Sequence, residues 1–241
     1  MGKKGLFYIL GLLLVGLSCL GLYQLTPAVT AGGGTMITIP EQPPVVALTF
    51  DDGPRADTTA RLLDGLALRE VPATFFLVGE FIPDNQDLVR RMAAEGHQIG
   101  VHTYSHIRIT NLSKADFDAE VSCTRQLLTS ILGEGSYWLR PPYGIIDDSV
   151  LQWAESPVVL WSLDTLDWKD QDADRIVNQV VWQAKDGDII LFHDIYDSSV
   201  DAALRIIDAL TERGFCFATV EQLLQDKGLT PENGAVYRQI Q

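Results

Sequence analysis

Cysteine is scarce in this chain of 241 residues. There are three, and Cys19 lies inside an apolar N-terminal run, which leaves Cys123 and Cys216. So few thiols exclude a disulfide-stapled scaffold. One bridge is the most they permit. Cys123 sits in a helical pattern and Cys216 in the strand-like "FCFATV", and both read equally as small buried hydrophobes. Basic residues are also few, 18 against 32 acidic, for a formal net charge of −14. Nothing here could displace phosphate counterions, so a nucleic-acid partner is excluded. There is no low-complexity tract, no block of like charge and no repeat of 20–50 residues, so the chain reads as globular. Histidine occurs four times only, at His97, His102, His106 and His193.

What is present divides early. Lys3 and Lys4 precede "GLFYILGLLLVGLSCLGLYQL", which carries no charge. A positive start followed by an apolar run reads as an export signal. The run is also long enough to span a bilayer as a helix. Val29 and Ala31 offer the small residues of a cleavage site, so residues 1–31 are either a removed signal peptide or a retained transmembrane anchor. Cys19 makes a poor lipoprotein site, because Gly16 stands where a large apolar residue is wanted. Residues 32–43, "GGGTMITIPEQP", are a linker by composition. The whole chain is 46% hydrophobic, enough for a sizeable core.

After the linker the pattern alternates. Apolar runs of strand length are "VVALTF", "ATFFLV", "QIGVH", "YWLR", "PVVLWSL", "DIILFH" and "FCFATV". Amphipathic segments separate them at 57–69, 85–95, 113–132, 147–154, 173–185 and 199–213. Ser113 with Asp116 three residues on marks one helix start. Strands that alternate with helices and are apolar throughout predict an α/β fold, a parallel sheet covered on both faces. Such sheets gather ligands at the carboxyl ends of their strands. Those ends here carry Asp51–Asp52, His102, Arg140, Asp164 to Trp168, and His193–Asp194. His97 falls in the turn "EGHQ" and reads as solvated; Trp138, Trp153, Trp161 and Trp182 read as core.

"HTYSH" spaces His102 and His106 four apart, so a helical turn would put both imidazoles on one face. The zinc-protease motif needs a Glu after the first His, and Thr103 stands there, so that reading fails. Two His and one carboxylate from another strand end would make an open catalytic zinc shell. "TFDDGP" supplies two carboxylates where Gly-Pro turns the chain, one able to bind metal while the other faces the water.

Five motifs in order resemble the polysaccharide deacetylase family, also called the NodB homology domain or carbohydrate esterase family 4. They are "TFDDGP" (49–54), "HTYSH" (102–106), "RPPYG" (140–144), "DTLDW" (164–168) and "LFH" (191–193). The resemblance covers residues 44–226 and leaves 227–241 as a C-terminal tail. It implies a distorted (β/α)7 barrel with parallel strands. It also implies that Asp52, His102 and His106 hold one divalent metal ion, zinc by preference, with cobalt an alternative. Asp51 would be the general base and Arg140 its orienting partner. The Tyr143 N–H would hold the oxyanion. His193 would be the general acid, tuned by Asp167, with Asp164 a lesser candidate for that role. Leu191 and Trp168 would line the acetyl pocket. The implied activity is deacetylation of N-acetylglucosamine in an exported polymer, peptidoglycan first, with chitin oligomers or acetylxylan as alternatives. A non-catalytic carbohydrate-binding protein on the same fold is the reading from another class. The partner is then an N-acetylated polysaccharide, plus the membrane if residues 1–31 remain, and the chain is expected to be a monomer acting outside the cytoplasm.

Overall fold

The computed structural model describes residues 42–241; the signal or anchor segment and all but the last two linker residues lie outside the described residues. The first half runs β1 (Val45–Asp51), α1 (Thr58–Arg69), β2 (Thr74–Leu77), α2 (Gln86–Ala94), β3 (Gln98–Val101) and α3 (Lys114–Leu132). The second runs α4 (Asp148–Trp153), β4 (Val158–Val159), β5 (Leu163–Asp164), a single turn α5 (Asp167–Asp170), α6 (Ala173–Gln183) and β6 (Ile189–His193). It ends with α7 (Asp197–Glu212), β7 (Cys216–Ala218), α8 (Val220–Asp226) and β8 (Val236–Tyr237). Ser113 caps α3 as its sequence suggests, accepting the Asp116 N–H.

The strands are parallel in the order β3-β2-β1-β6-β5, and β7 pairs with the start of β1. The chain is therefore α/β with a parallel sheet. Two runs behave differently from the expected strands. "YWLR" contributes only Leu139, bridged to Val101 on one side and Val158 on the other. Pro141 and Pro142 follow at once and have no N–H for a ladder. "PVVLWSL" breaks into β4 and β5. Residues 227–241 build into the fold: β8 pairs with β4, and Ile240 is buried. The Ile240 carbonyl presses on Gly187, where a Cβ would come within 1.7 Å, and the φ of 82° there also favours glycine.

Period-two alternation along β1 sorts its side chains. Val46, Leu48 and Phe50 join the large core under the helices. Phe50 stacks on its register partners Phe75 and Phe192 at 5.4 Å each, a three-ring ladder across β2, β1 and β6. Ala47 faces a second cluster with Phe76, Trp138, Val159, Ile189 and the apolar face of α8. That cluster forms a plug on the face of β1 opposite the large core. Thr49 and Asp51 continue the same face toward the carboxyl ends, so the alternation that builds the core also delivers Asp51 to the mouth. Arg140 lies over the plug, its guanidinium 4.2 Å from the Phe76 ring centroid.

Three expectations need correction. His97 is buried, not solvated: its Nδ1 accepts the Ala73 N–H at 3.1 Å, and its ring meets the Phe75 edge. Trp182 is 87% exposed on α6, whereas Trp138 is buried. Cys123 is exposed and forms no disulfide. Among the described residues no helix is long and apolar enough to cross a membrane.

Candidate active site

The mouth is assembled from loops after β1, β3, Leu139, β5 and β6. Asp51 is the last residue of β1 and its register partner is His193, the last of β6, so both side chains address one face. Asp52 then leaves the strand with φ 72°, the left-handed region. Neighbours on an extended strand point opposite ways; this twist turns the Asp52 carboxylate back toward the same site.

His102 and His106 reach it from a loop, not a helical turn. Thr103 (φ 66°) and His106 (φ 56°) are both left-handed. Glu120 on α3 holds this loop, accepting the N–H groups of Tyr104 and Ser105 at 3.0 and 2.9 Å and the Ser105 hydroxyl at 2.8 Å. His102 Nδ1–H donates to the Arg140 carbonyl at 2.7 Å, which leaves the Nε2 lone pair facing inward.

Asp52 Oδ1 lies 3.2 Å from His106 Nε2 and 3.5 Å from His102 Nε2. One atom from each residue falls within 4.8 Å of the others. Tetrahedral ligands at zinc distances stand roughly 3.3 Å apart, so the spacing suits such an ion. Asp52 Oδ1 is also buried without a hydrogen bond, an orphaned acceptor that a cation would satisfy. The three residues thus fit a divalent metal ion.

Two charged pairs flank them. Asp51 accepts from Arg140 Nη1 at 2.8 Å, while its Oδ2 stands 3.7 Å from His102 Nε2. Arg140 is wholly buried and its other donors serve Thr49 Oγ1 and the carbonyls of Val159 and Leu160. On the other side Asp167 is wholly buried and accepts three times: from His193 Nδ1–H at 2.7 Å, the His193 N–H at 2.7 Å and the Trp168 N–H at 2.9 Å. Asp164 is not part of this pair; it accepts the Leu166 N–H and shapes the turn. Leu191 is buried in β6, and Trp168 is half exposed at the mouth. Tyr143 is left-handed (φ 62°) and packs its ring edge-on to His106 at 5.0 Å.

The charges follow from these contacts. Burial opposes ionisation of Asp52, but His106, His102 and His193 outweigh it and hold the pKa at about 2. Burial pulls His102 down despite Asp51 and Asp52, which favours the neutral imidazole a ligand must be. The Asp52 contact lifts His106 against its own burial. Burial would lower His193 too, yet the bond to Asp167 raises it to about 9.

The sequence motifs thus meet at one mouth. The sequence assigns Thr49 and Glu120 no role, and sets Asp194 at a strand end without one. Glu120 and Thr49 act on residues 15 to 91 positions away, so no local spacing reveals what they hold.

The polysaccharide deacetylase profile matches residues 38–157. A peptidoglycan-N-acetylglucosamine deacetylase of Bacillus cereus is 40% identical over 187 residues, covering 75% of this chain and 68% of that protein. This chain belongs to the polysaccharide deacetylase family. The peptidoglycan-N-acetylmuramic acid deacetylase PdaC of Bacillus subtilis is also 40% identical, over 79% of this chain and 41% of its own length. The chain therefore spans about two fifths of that family member. Among solved deacetylases, T48 deacetylase with substrate superposes with a TM-score of 0.77 at 40% identity, covering 81% of this chain and 96% of that one. A family 4 acetyl xylan esterase from Clostridium thermocellum, in complex with a cobalt ion, gives 0.77 at 30% identity, over 81% and 98%.

Proposed function

We propose that this chain is a metal-dependent deacetylase of N-acetylglucosamine residues in peptidoglycan, releasing acetate and leaving a free amino sugar. The observation that carries the reading is the convergence of three parts: an Asp–His–His triad spaced for a cation, a buried Asp51–Arg140 pair, and His193 paired with the buried Asp167. We read the sheet, with its single-residue seam at Leu139, as a distorted (β/α)7 barrel. Residues 1–31 direct export and either are removed or anchor the chain, which works as a monomer outside the cytoplasm.

Asp52, His102 and His106 would hold the ion, zinc or cobalt. Bound there, it would polarise the acetyl carbonyl and make water more acidic. Asp51, held in place by the bond from Arg140, takes the proton of the attacking water. The Tyr143 N–H donates to the oxygen that becomes negative. His193 enters as imidazolium and gives its Nε2 proton to the departing nitrogen, since an amine leaves only when protonated. Asp167 stabilises the charge on that ring and fixes its orientation. Leu191 and Trp168 line the space for the acetyl methyl.

The test is acetate release by purified protein with zinc or cobalt, against peptidoglycan, chitin oligomers and acetylxylan. Peptidoglycan should lead, with free amine appearing on N-acetylglucosamine. Amine on N-acetylmuramic acid would shift the sugar assignment, and faster turnover of chitin or xylan would shift the polymer. No acetate from any of them would leave a carbohydrate-binding role instead.

A further inference from the structure

Asp194 follows His193 and takes no part in the chemistry above. It is 1% exposed, and a carboxylate is seldom buried so fully without a strong partner. Its Oδ2 accepts the Thr59 hydroxyl, and Thr59 Oγ1 in turn accepts the Arg55 N–H at 2.8 Å. Its Oδ1 is buried with no hydrogen bond. Its own N–H donates to the Asp51 carbonyl at 3.3 Å. Against the carboxylate lies Gly53, where a Cβ would come within 2.5 and 2.6 Å of the two oxygens. One residue therefore meets the segment 51–55 three times: at the Asp51 carbonyl, at the Gly53 Cα and, through Thr59, at the Arg55 N–H. That segment carries Asp52 in its left-handed conformation. Such a conformation is unfavourable for a non-glycine residue and persists only where the surroundings enforce it.

We propose that Asp194 is a positioning residue that holds the Asp51–Arg55 turn in the shape that aims Asp52 at His102 and His106. The inference rests on the metal-site reading above. Asp194 works through Gly53 and the Thr59 link and does not touch substrate. Glycine is required at position 53 because the carboxylate occupies the space of a side chain.

The test is zinc affinity of the apo-protein, read by competition with a chromophoric chelator, at a temperature where circular dichroism shows each variant folded. Thr59→Val removes the hydroxyl and keeps the shape; Asp194→Ala removes the carboxylate. Each should bind zinc about 10- to 100-fold more weakly, the usual effect of losing an outer support of a metal site. Asp194→Asn can still accept the Thr59 hydroxyl and should recover most of the affinity. A merely structural Asp194 would lower the melting temperature and leave the affinity of folded protein unchanged. Wild-type affinity in folded Thr59→Val and Asp194→Ala overturns the proposal, and Thr59→Val decides alone if Asp194→Ala does not fold. Wild-type protein that binds no zinc removes the metal reading itself, which is a separate outcome.

Discussion

A histidine in the wall of a protein is usually half charged or neutral near pH 7, and His193 escapes that fate through Asp167. Burial alone would drive its proton off; the buried carboxylate more than reverses this and raises the pKa to about 9. His193→Ala should lower kcat by roughly 10²–10⁴ and leave the metal bound; a kcat within twofold of wild type would remove the residue from its role. An acid must be protonated, so the wild-type rate should fall as pH rises through about 9. Asp167→Asn takes away the raising partner and should bring that fall to lower pH. At this scale the sequence was legible wherever chemistry sits in a short motif: the paired aspartates, the two histidines and the "DW" of "DTLDW". It was mute on conformation. Nothing in "TFDDGP" announces that Asp52 must turn left-handed, or that Glu120 lies under Tyr104 and Ser105.

Among the elements, the three-ring ladder of Phe75, Phe50 and Phe192 sets the positions of β1 and β6 relative to each other, and so of Asp51 and His193 at their ends. Phe50→Ala opens a cavity at the centre of that ladder and should cost about 3–5 kcal/mol in urea unfolding; a loss below 1 kcal/mol would mean the ladder contributes little. Helices and the longer strands were legible because hydrophobic period and length both speak for them. The exceptions are short. Leu139 is a single bridging residue with two prolines just beyond Arg140, and β4, β5 and β8 are two residues each, too few for any alternation to register. The place of residues 227–241 follows from a long-range pairing of β8 with β4. Exposure of Trp182 was hidden because a helix face shows which residues cluster, not which face is left without a partner.

For the molecule as a whole, buried ionisable groups couple stability to pH in opposing senses. Burial lowers His97 to about 4, below its ordinary 6.5, so its contribution is complete above pH 6.5 and declines as pH falls toward 4. Burial raises Asp194 to about 7, against the Thr59 bond, so its contribution weakens as pH rises from the ordinary carboxylate range toward 7. The two offset each other in wild-type protein, and a variant separates them. His97→Asn can still accept the Ala73 N–H but cannot titrate. Its stability relative to wild type should rise by about 2 kcal/mol between pH 7 and pH 5 in urea unfolding. A constant difference across that range would show that His97 does not carry this linkage. The measurement closest to the centre of the account is reactivation of chelator-treated protein on peptidoglycan, following acetate as zinc is added. Activity should be lost with the chelator and return in proportion to zinc, with a break at about one ion per chain. Acetate release that persists undiminished after the metal is stripped would contradict it.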